Sequence, residues 1–139
     1  MSPTSDRLAG WATLLGATPA SRSRGPQTNP HDQGRTSRLA KGALRAFLLA
    51  RDGGCVFPYC DIPPARCELH HIRAFKDGGP TSAHNLAALC VLHHALCQHP
   101  PGDPHHWTIR MADDGVPEAI PPVTIDAAQR PIRHPRLRR

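Results

Sequence analysis

Aromatic side chains are scarce in this 139-residue chain, where three Phe, two Trp and one Tyr amount to 4% of the residues. A large aromatic core is therefore excluded. No apolar run approaches the roughly 18 residues that a membrane span requires, so no bilayer segment is expected. Leu8 to Ala17 has the faint look of an export signal, but Asp6 precedes it and Gly and Thr interrupt it, which disfavours one. No internal repeat is evident. The five cysteines are odd in number, so they cannot all be paired, and they lie among histidines. That usage fits metal binding in a reducing cytoplasm better than an exported disulfide framework.

What is present divides the chain unevenly. Residues 1–34 are rich in Ser, Pro, Thr, Gly and Arg without periodicity, which predicts a disordered basic leader. Residues 35–112 hold the clustered apolar positions and read as one small domain. Residues 113–139 read as an extended basic tail, loosely packed from Pro117 onward. So small a core gives a marginal fold by hydrophobic burial alone, and a bound metal is the expected staple. The net charge of +6 collects before the motif region, from Arg22 to Arg45, and again from Arg130 to Arg139. A polyanion such as DNA is the natural partner of that pattern.

Helical spacing of Leu39, Ala40, Ala43, Leu44, Phe47, Leu48 and Ala50 predicts a helix over 37–51. Thr36 or Ser37 would cap it, Asp52-Gly53-Gly54 would stop it, and Arg38, Lys41, Arg45 and Arg51 would form its solvated face. Residues 68–74 read as a short strand, 76–80 as a turn cluster and 85–89 as a second extended segment. A second helix should start near Val91 and end by Pro100. Residues 107–111 read as a peripheral strand followed by a turn at Asp113-Asp114-Gly115.

Cys55-x4-Cys60 and Cys90-x2-His93 are two close pairs that the intervening hairpin would bring together. Three thiolates and one imidazole make a closed tetrahedral zinc site, which supports a fold and leaves no position for a reacting water. Cys67 and Cys97 are spare, and their simplest role is that of small buried hydrophobes, although Cys97 lies one helical turn beyond His93. The His70-His71 pair is harder to explain as core. Neighbours on a strand point to opposite faces, so one can meet a metal while the other meets a water. On the second helix His93 and His94 diverge by about 100°, which lets His93 close the zinc site while His94 turns towards His70.

Arg51 to Cys60, His70-His71-Ile72, Gly78 to Thr81, Asn85-Leu86 and Cys90 to His94 together resemble the HNH endonucleases of the ββα-metal (His-Me finger) superfamily. More narrowly, they are similar to the HNH domain at the C-terminus of a large actinobacterial family whose N-terminal domain has unknown function. The resemblance covers roughly residues 35–125, and nothing in the leader resembles that upstream domain. It implies a small α+β fold, with a ββα core, a structural zinc and a preceding helix.

The same resemblance implies that His71 is the general base, Asn85 the middle residue of the motif, and His94 the last. His70 and His94 would hold a catalytic divalent ion, Mg²⁺, Mn²⁺, Co²⁺ or Ni²⁺. Hydrolysis of DNA by water would then leave 5′-phosphate and 3′-hydroxyl ends. Asn85 would hold the loop and orient His71, while Arg73 and Lys76 sit near enough in sequence to contact the backbone of DNA. One departure stands out. Relatives of the colicin type carry another histidine one turn after the last, and here that position is Gln98, with His99 beside it. A zinc-stabilised DNA-binding module without catalysis is the alternative. A single small site acting as a monomer or weak dimer would nick one strand at a time.

Overall fold

The computed structural model describes residues 31–138. The expected disorder of the leader concerns residues that lie mostly outside this range. Within it, Asp32–Gly34 is already a strand, β1. The elements that follow are α1 (Gly42–Asp52), β2 (Cys67–His71), β3 (Thr81–Ser82), β4 (Leu86–Cys90), α2 (Val91–Cys97), β5 (Thr108–Met111) and β6 (Pro117–Ile120). Three single 3₁₀ turns lie between or after them. The fold is thus a small α+β arrangement of two helices on three two-stranded antiparallel ladders, β1 with β3, β2 with β4 and β5 with β6.

Helix α1 begins five residues later than its apolar pattern predicts. Residues 36–38 have other partners: Thr36 Oγ1 donates to Gln33 O and Ser37 Oγ to Leu39 O, so neither caps a helix. Leu44, Leu48 and Asp52 form its buried stripe at i, i+4 and i+8, and Leu39 stays exposed. The predicted stop holds. Gly53 takes the left-handed conformation at φ 67° and its N–H caps Leu49 O.

The solvated face expected of α1 needs one correction, because Arg51 is turned inward. Its guanidinium donates to Ala83 O and Leu86 O, each at 2.6 Å, and pairs with Asp52. Asp52, fully buried, accepts from the Ala88 N–H at 2.8 Å. A buried charge is tolerated when it is paired and its lone pairs are filled, and here that arrangement fastens α1 to β4.

β2 and β4 form the central hairpin, in register from Cys67↔Cys90 to His71↔Leu86. All five residues of β4 are buried, since α1 covers it on one side and the Cys55–Val56 segment packs on it as well. Val56 N–H donates to Ala88 O, joining that segment to the hairpin. The chain then enters α2 directly from β4, so a strand end and a helix start share Cys90.

Residues from Pro117 onward contain little regular structure, but they are not loosely packed. β6 pairs with β5, Ile132 exchanges two backbone hydrogen bonds with Ala119, and His134 and Leu137 are buried. Arg136 donates to Asp52 O at 3.1 Å and to Cys55 O at 2.9 Å. Arg133 bonds Asp114 and Glu118, and Arg130 bonds Asp126. Arg130, Arg133 and Arg136, which read as part of a basic tail, therefore bind carboxylates and carbonyls of the domain itself. Among the described residues no helix is long and apolar enough to cross a membrane.

Candidate active site and metal centre

The two ligand pairs expected from spacing converge. Cys55 lies just after α1, Cys60 closes a tight turn, Cys90 ends β4 and His93 sits in the first turn of α2. Their ligand atoms all lie within 4.8 Å of one another. Cys90 Sγ is 3.3 Å and Cys55 Sγ 3.5 Å from His93 Nδ1, and Cys60 Sγ is 4.0 Å from Cys90 Sγ. A tetrahedron with sulfur bonds of about 2.3 Å has sulfur edges of about 3.8 Å, so the spacing fits a dication of that size.

The local sequence builds this knuckle. A Cβ on Gly54 would come within 2.6 Å of Ile62 O, so only glycine admits the approach that lets Cys55 N–H bond Ile62 O. Phe57 stacks on the His93 ring at 3.9 Å and 3°, and Trp107 meets Phe57 edge-on at 4.6 Å. A third of the few aromatic residues of this chain, two of six, thus wall one ligand cluster. Burial pushes the Cys55 thiol up to about 12, with the neighbouring Cys60 and Cys90 adding to the rise. Three sulfurs and one imidazole nitrogen in this enclosed space make a soft donor set that suits a zinc-like ion.

Cys67 and Cys97 lie outside the cluster. Cys67 Sγ points to Pro63 O at 3.4 Å, and burial raises its thiol to about 11. Cys97 is buried in the core and raised to about 12 for the same reason.

His70, His71 and His94 line a separate groove of about 1430 Å³. His94 turns away from His93, as the helical step requires, and meets His70 edge-on with ring centroids 5.2 Å apart. Its Nδ1 lies 2.6 Å from Glu68 Oε2. Burial lowers the His70 pKa to about 4, with His94, His71 and His106 adding to it, so His70 is a neutral donor at ordinary pH.

His71 faces a different partner. Its Nε2 lies 3.0 Å from the hydroxyl of buried Thr81, and its ring meets Phe75 edge-on. Burial, followed by the charges of Arg38 and Arg35, holds its pKa below the usual value.

Asn85 is 8% exposed and uses its whole amide on the loop that joins β2 to β3. Its Oδ1 accepts from Arg73 N at 2.9 Å, and its Nδ2 donates to Arg73 O at 3.0 Å and Pro80 O at 2.8 Å. Both ends of the loop are thereby tied to one side chain. Arg35 ties the middle, donating to Phe75 O and Gly79 O while lying over the Phe75 ring. A Cβ on Gly79 would sit 1.9 Å from Arg73 O, which excludes any other residue there.

Arg73 and Lys76 border the same groove, together with Arg38 and Arg45. Gln98 and His99 line it too, where His99 Nδ1 lies 3.7 Å from Asp103 Oδ2. Three residues of this site escape a reading of the sequence. Glu68 precedes His70 by two on a strand, so period-two alternation was a usable signal. Thr81 sat inside a turn motif with nothing to mark its hydroxyl, and Arg35 fell at the edge of an apparent leader.

Residues 55–94 match the family model described as HNH endonuclease. An uncharacterized protein of Mycobacterium tuberculosis H37Rv, Rv1128c, is 36% identical over 94 residues, which cover 68% of this chain and 20% of that protein. Another uncharacterized protein of the same strain, Rv1945, is 32% identical over 94 residues, again 68% of this chain and 19% of the relative. Mb1179c of Mycobacterium bovis, also uncharacterized, is similar to the same extent. The chain spans about a fifth of the length of the curated relatives it matches. No solved structure matches.

Proposed function

Because residues 55–94 carry the HNH endonuclease domain, we propose that this chain is a metal-dependent endonuclease that hydrolyses DNA to 5′-phosphate and 3′-hydroxyl ends. The observation that supports this best is one groove holding His71 beside the His70–His94 pair, with Asn85 locking the intervening loop. A merely structural role for these residues leaves three partly exposed histidines and a basic groove without a purpose.

In this reading Cys55, Cys60, Cys90 and His93 hold a structural Zn²⁺, and His70 and His94 hold a divalent catalytic ion. Glu68 offers a hard oxygen next to His94, where Gln98 supplies no imidazole. When bound, that ion supplies positive charge opposite the phosphate and the leaving 3′ oxygen. Neutral His71 takes a proton from water, so that the oxygen left behind attacks phosphorus in line. The depressed pKa of His71 keeps it unprotonated and ready at neutral pH. Asn85 acts at one remove, holding the loop that begins two residues after the base. Arg73 and Lys76, with Arg38 and Arg45, would bind phosphates along the groove. The Arg130 to Arg136 stretch has carboxylate and carbonyl partners of its own, which leaves the groove as the main DNA-facing charge.

We place the activity in the cytoplasm, where free thiols persist and DNA is at hand. A monomer would nick, and double-strand breaks would need a second copy. The second reading, a DNA-binding module without catalysis, is favoured by Gln98 and by the engagement of His94 with Glu68. Supercoiled plasmid incubated with the full chain and Mn²⁺ separates the two. Relaxed circles are expected from the parent and about 10²- to 10⁴-fold more slowly from His71→Ala, with DNA binding retained by both. Equal cutting by the two proteins would refute the nuclease assignment, and binding without cutting by the parent would establish the second reading.

A further inference from the structure

We infer that Thr81 is the positioning residue of the base: it accepts the Nε2–H of His71 and donates its own hydroxyl proton to the carbonyl of Arg38. This relay makes Nδ1 the nitrogen of His71 that takes the proton, and it rests on the nuclease reading above. Two contacts carry the argument. His71 Nε2 lies 3.0 Å from Thr81 Oγ1, and Thr81 Oγ1 lies 3.3 Å from Arg38 O. A hydroxyl has a single hydrogen to donate. If it goes to the carbonyl, which can only accept, then Oγ1 presents a lone pair to the ring and Nε2 must be the donor. Neutral imidazole carries one N–H, so Nδ1 is then the basic nitrogen.

The surroundings favour this arrangement over its reverse. Thr81 is fully buried, so no bulk water replaces a partner lost on either side. Were the hydroxyl to donate to His71 instead, its oxygen would face the Arg38 carbonyl oxygen at 3.3 Å with no hydrogen between them. The backbone of Thr81 is also fixed, paired with Gly34 across β1 and β3, so the hydroxyl is a rigid post. Nε2 faces inward at that post while the ring borders the groove. After Nδ1 takes a proton from water the ring is imidazolium, and Nε2–H still donates to Thr81. The same two hydrogen bonds therefore serve both states of the base, and proton uptake requires no rearrangement.

The full chain, labelled with ¹⁵N-histidine, tests this without any activity measurement. The His71 ring signals, assigned by their loss in His71→Ala, should report the Nε2–H tautomer. An Nδ1–H tautomer overturns the relay. Kinetics form the second arm. Thr81→Val should lower kcat about tenfold with little change in KM, as expected for one orienting hydrogen bond. Thr81→Ser, which keeps the hydroxyl, should recover most of that loss. In a His71→Ala background Thr81→Val should cost nothing further. Cutting by Thr81→Val at the parental rate, or an equal loss in both backgrounds, refutes a role exerted through His71. If the valine variant does not fold, the tautomer signal and the serine variant still decide. If the parent does not cut DNA at all, the nuclease reading fails, whereas the ring signals still settle which nitrogen Thr81 engages.

Discussion

Replacing Asn85 by alanine removes three hydrogen bonds at once, to Arg73 N, Arg73 O and Pro80 O. Each is worth about 0.5–1.5 kcal/mol net, so the loop between β2 and β3 should lose about 1.5–4.5 kcal/mol of local stability. That is a large share of the roughly 5–15 kcal/mol that holds a small domain together. The loss should be concentrated in the loop, because the β2–β4 ladder and the cysteine cluster keep their own contacts. Hydrogen exchange at the Arg73 amide is the direct assay, and protection there should fall by at least about tenfold. Cleavage should drop as well, since His71 stands two residues before Arg73. Asn85→Asp is the sharper variant: its carboxylate still accepts from Arg73 N but faces two carbonyl oxygens with no proton to offer. It should therefore be at least as damaging as alanine despite its matching shape. Unchanged exchange at Arg73 together with unchanged cleavage in either variant would refute the view that Asn85 is the tie of this loop.

Four further outcomes are expected. Cys60→Ser should release the structural metal and lower the melting temperature, and metal analysis that still finds one equivalent of zinc would remove Cys60 from the ligand set. If His70 and His94 hold the catalytic ion as proposed, Mn²⁺, Co²⁺ or Ni²⁺ should bind more tightly than Mg²⁺ in calorimetric titrations. His70→Asp should move the preference towards Mg²⁺, and Glu68→Gln should weaken binding of every ion. Because the His71 pKa lies below the ordinary histidine value, the neutral base persists as pH falls past 6.5; cleavage should fade only at lower pH, and a rate already halved at pH 6.5 contradicts this. Arg136→Ala frees the carbonyls of Asp52 and Cys55 and should cost about 1–3 kcal/mol in denaturant unfolding, a loss absent if those bonds are incidental.

How much of this was legible in the sequence depends on how local each interaction is. Helix α1, the β2–β4 hairpin and α2 follow from short patterns, and the convergence of Cys55, Cys60, Cys90 and His93 follows from two close pairs on either side of a hairpin. The inward turn of Arg51 was not legible, because an arginine on an amphipathic helix ordinarily faces water. The carbonyls of Ala83 and Leu86, more than thirty residues away, draw it in together with its buried neighbour Asp52. β6 was missed because it opens on Pro117, which as the first residue of an edge strand gives up no needed donor. Thr81 and Arg35 act through backbone carbonyls distant in sequence, and no residue pattern announces such partners. Glu68 is the instructive case, since the strand alternation that separated His70 from His71 also put Glu68 and His70 on one face.

The bonds from His134 and Arg136 to the cysteine loop also bear on the order in which this protein matures. All four ligands have been synthesised by residue 93, yet the carbonyls of Asp52, Cys55 and Cys60 find their side-chain partners only at residues 134 and 136. During translation from the N-terminus the knuckle is thus complete in donors well before it is complete in support. A zinc ion captured early, if this cluster holds one as proposed, would sit in a loop whose backbone is not yet fastened and would exchange more freely than one captured later. Arrival of the segment around residues 134 and 136 would then turn a site at equilibrium with its surroundings into one from which the ion leaves slowly, so retention of the metal would depend on residues synthesised after all of its ligands.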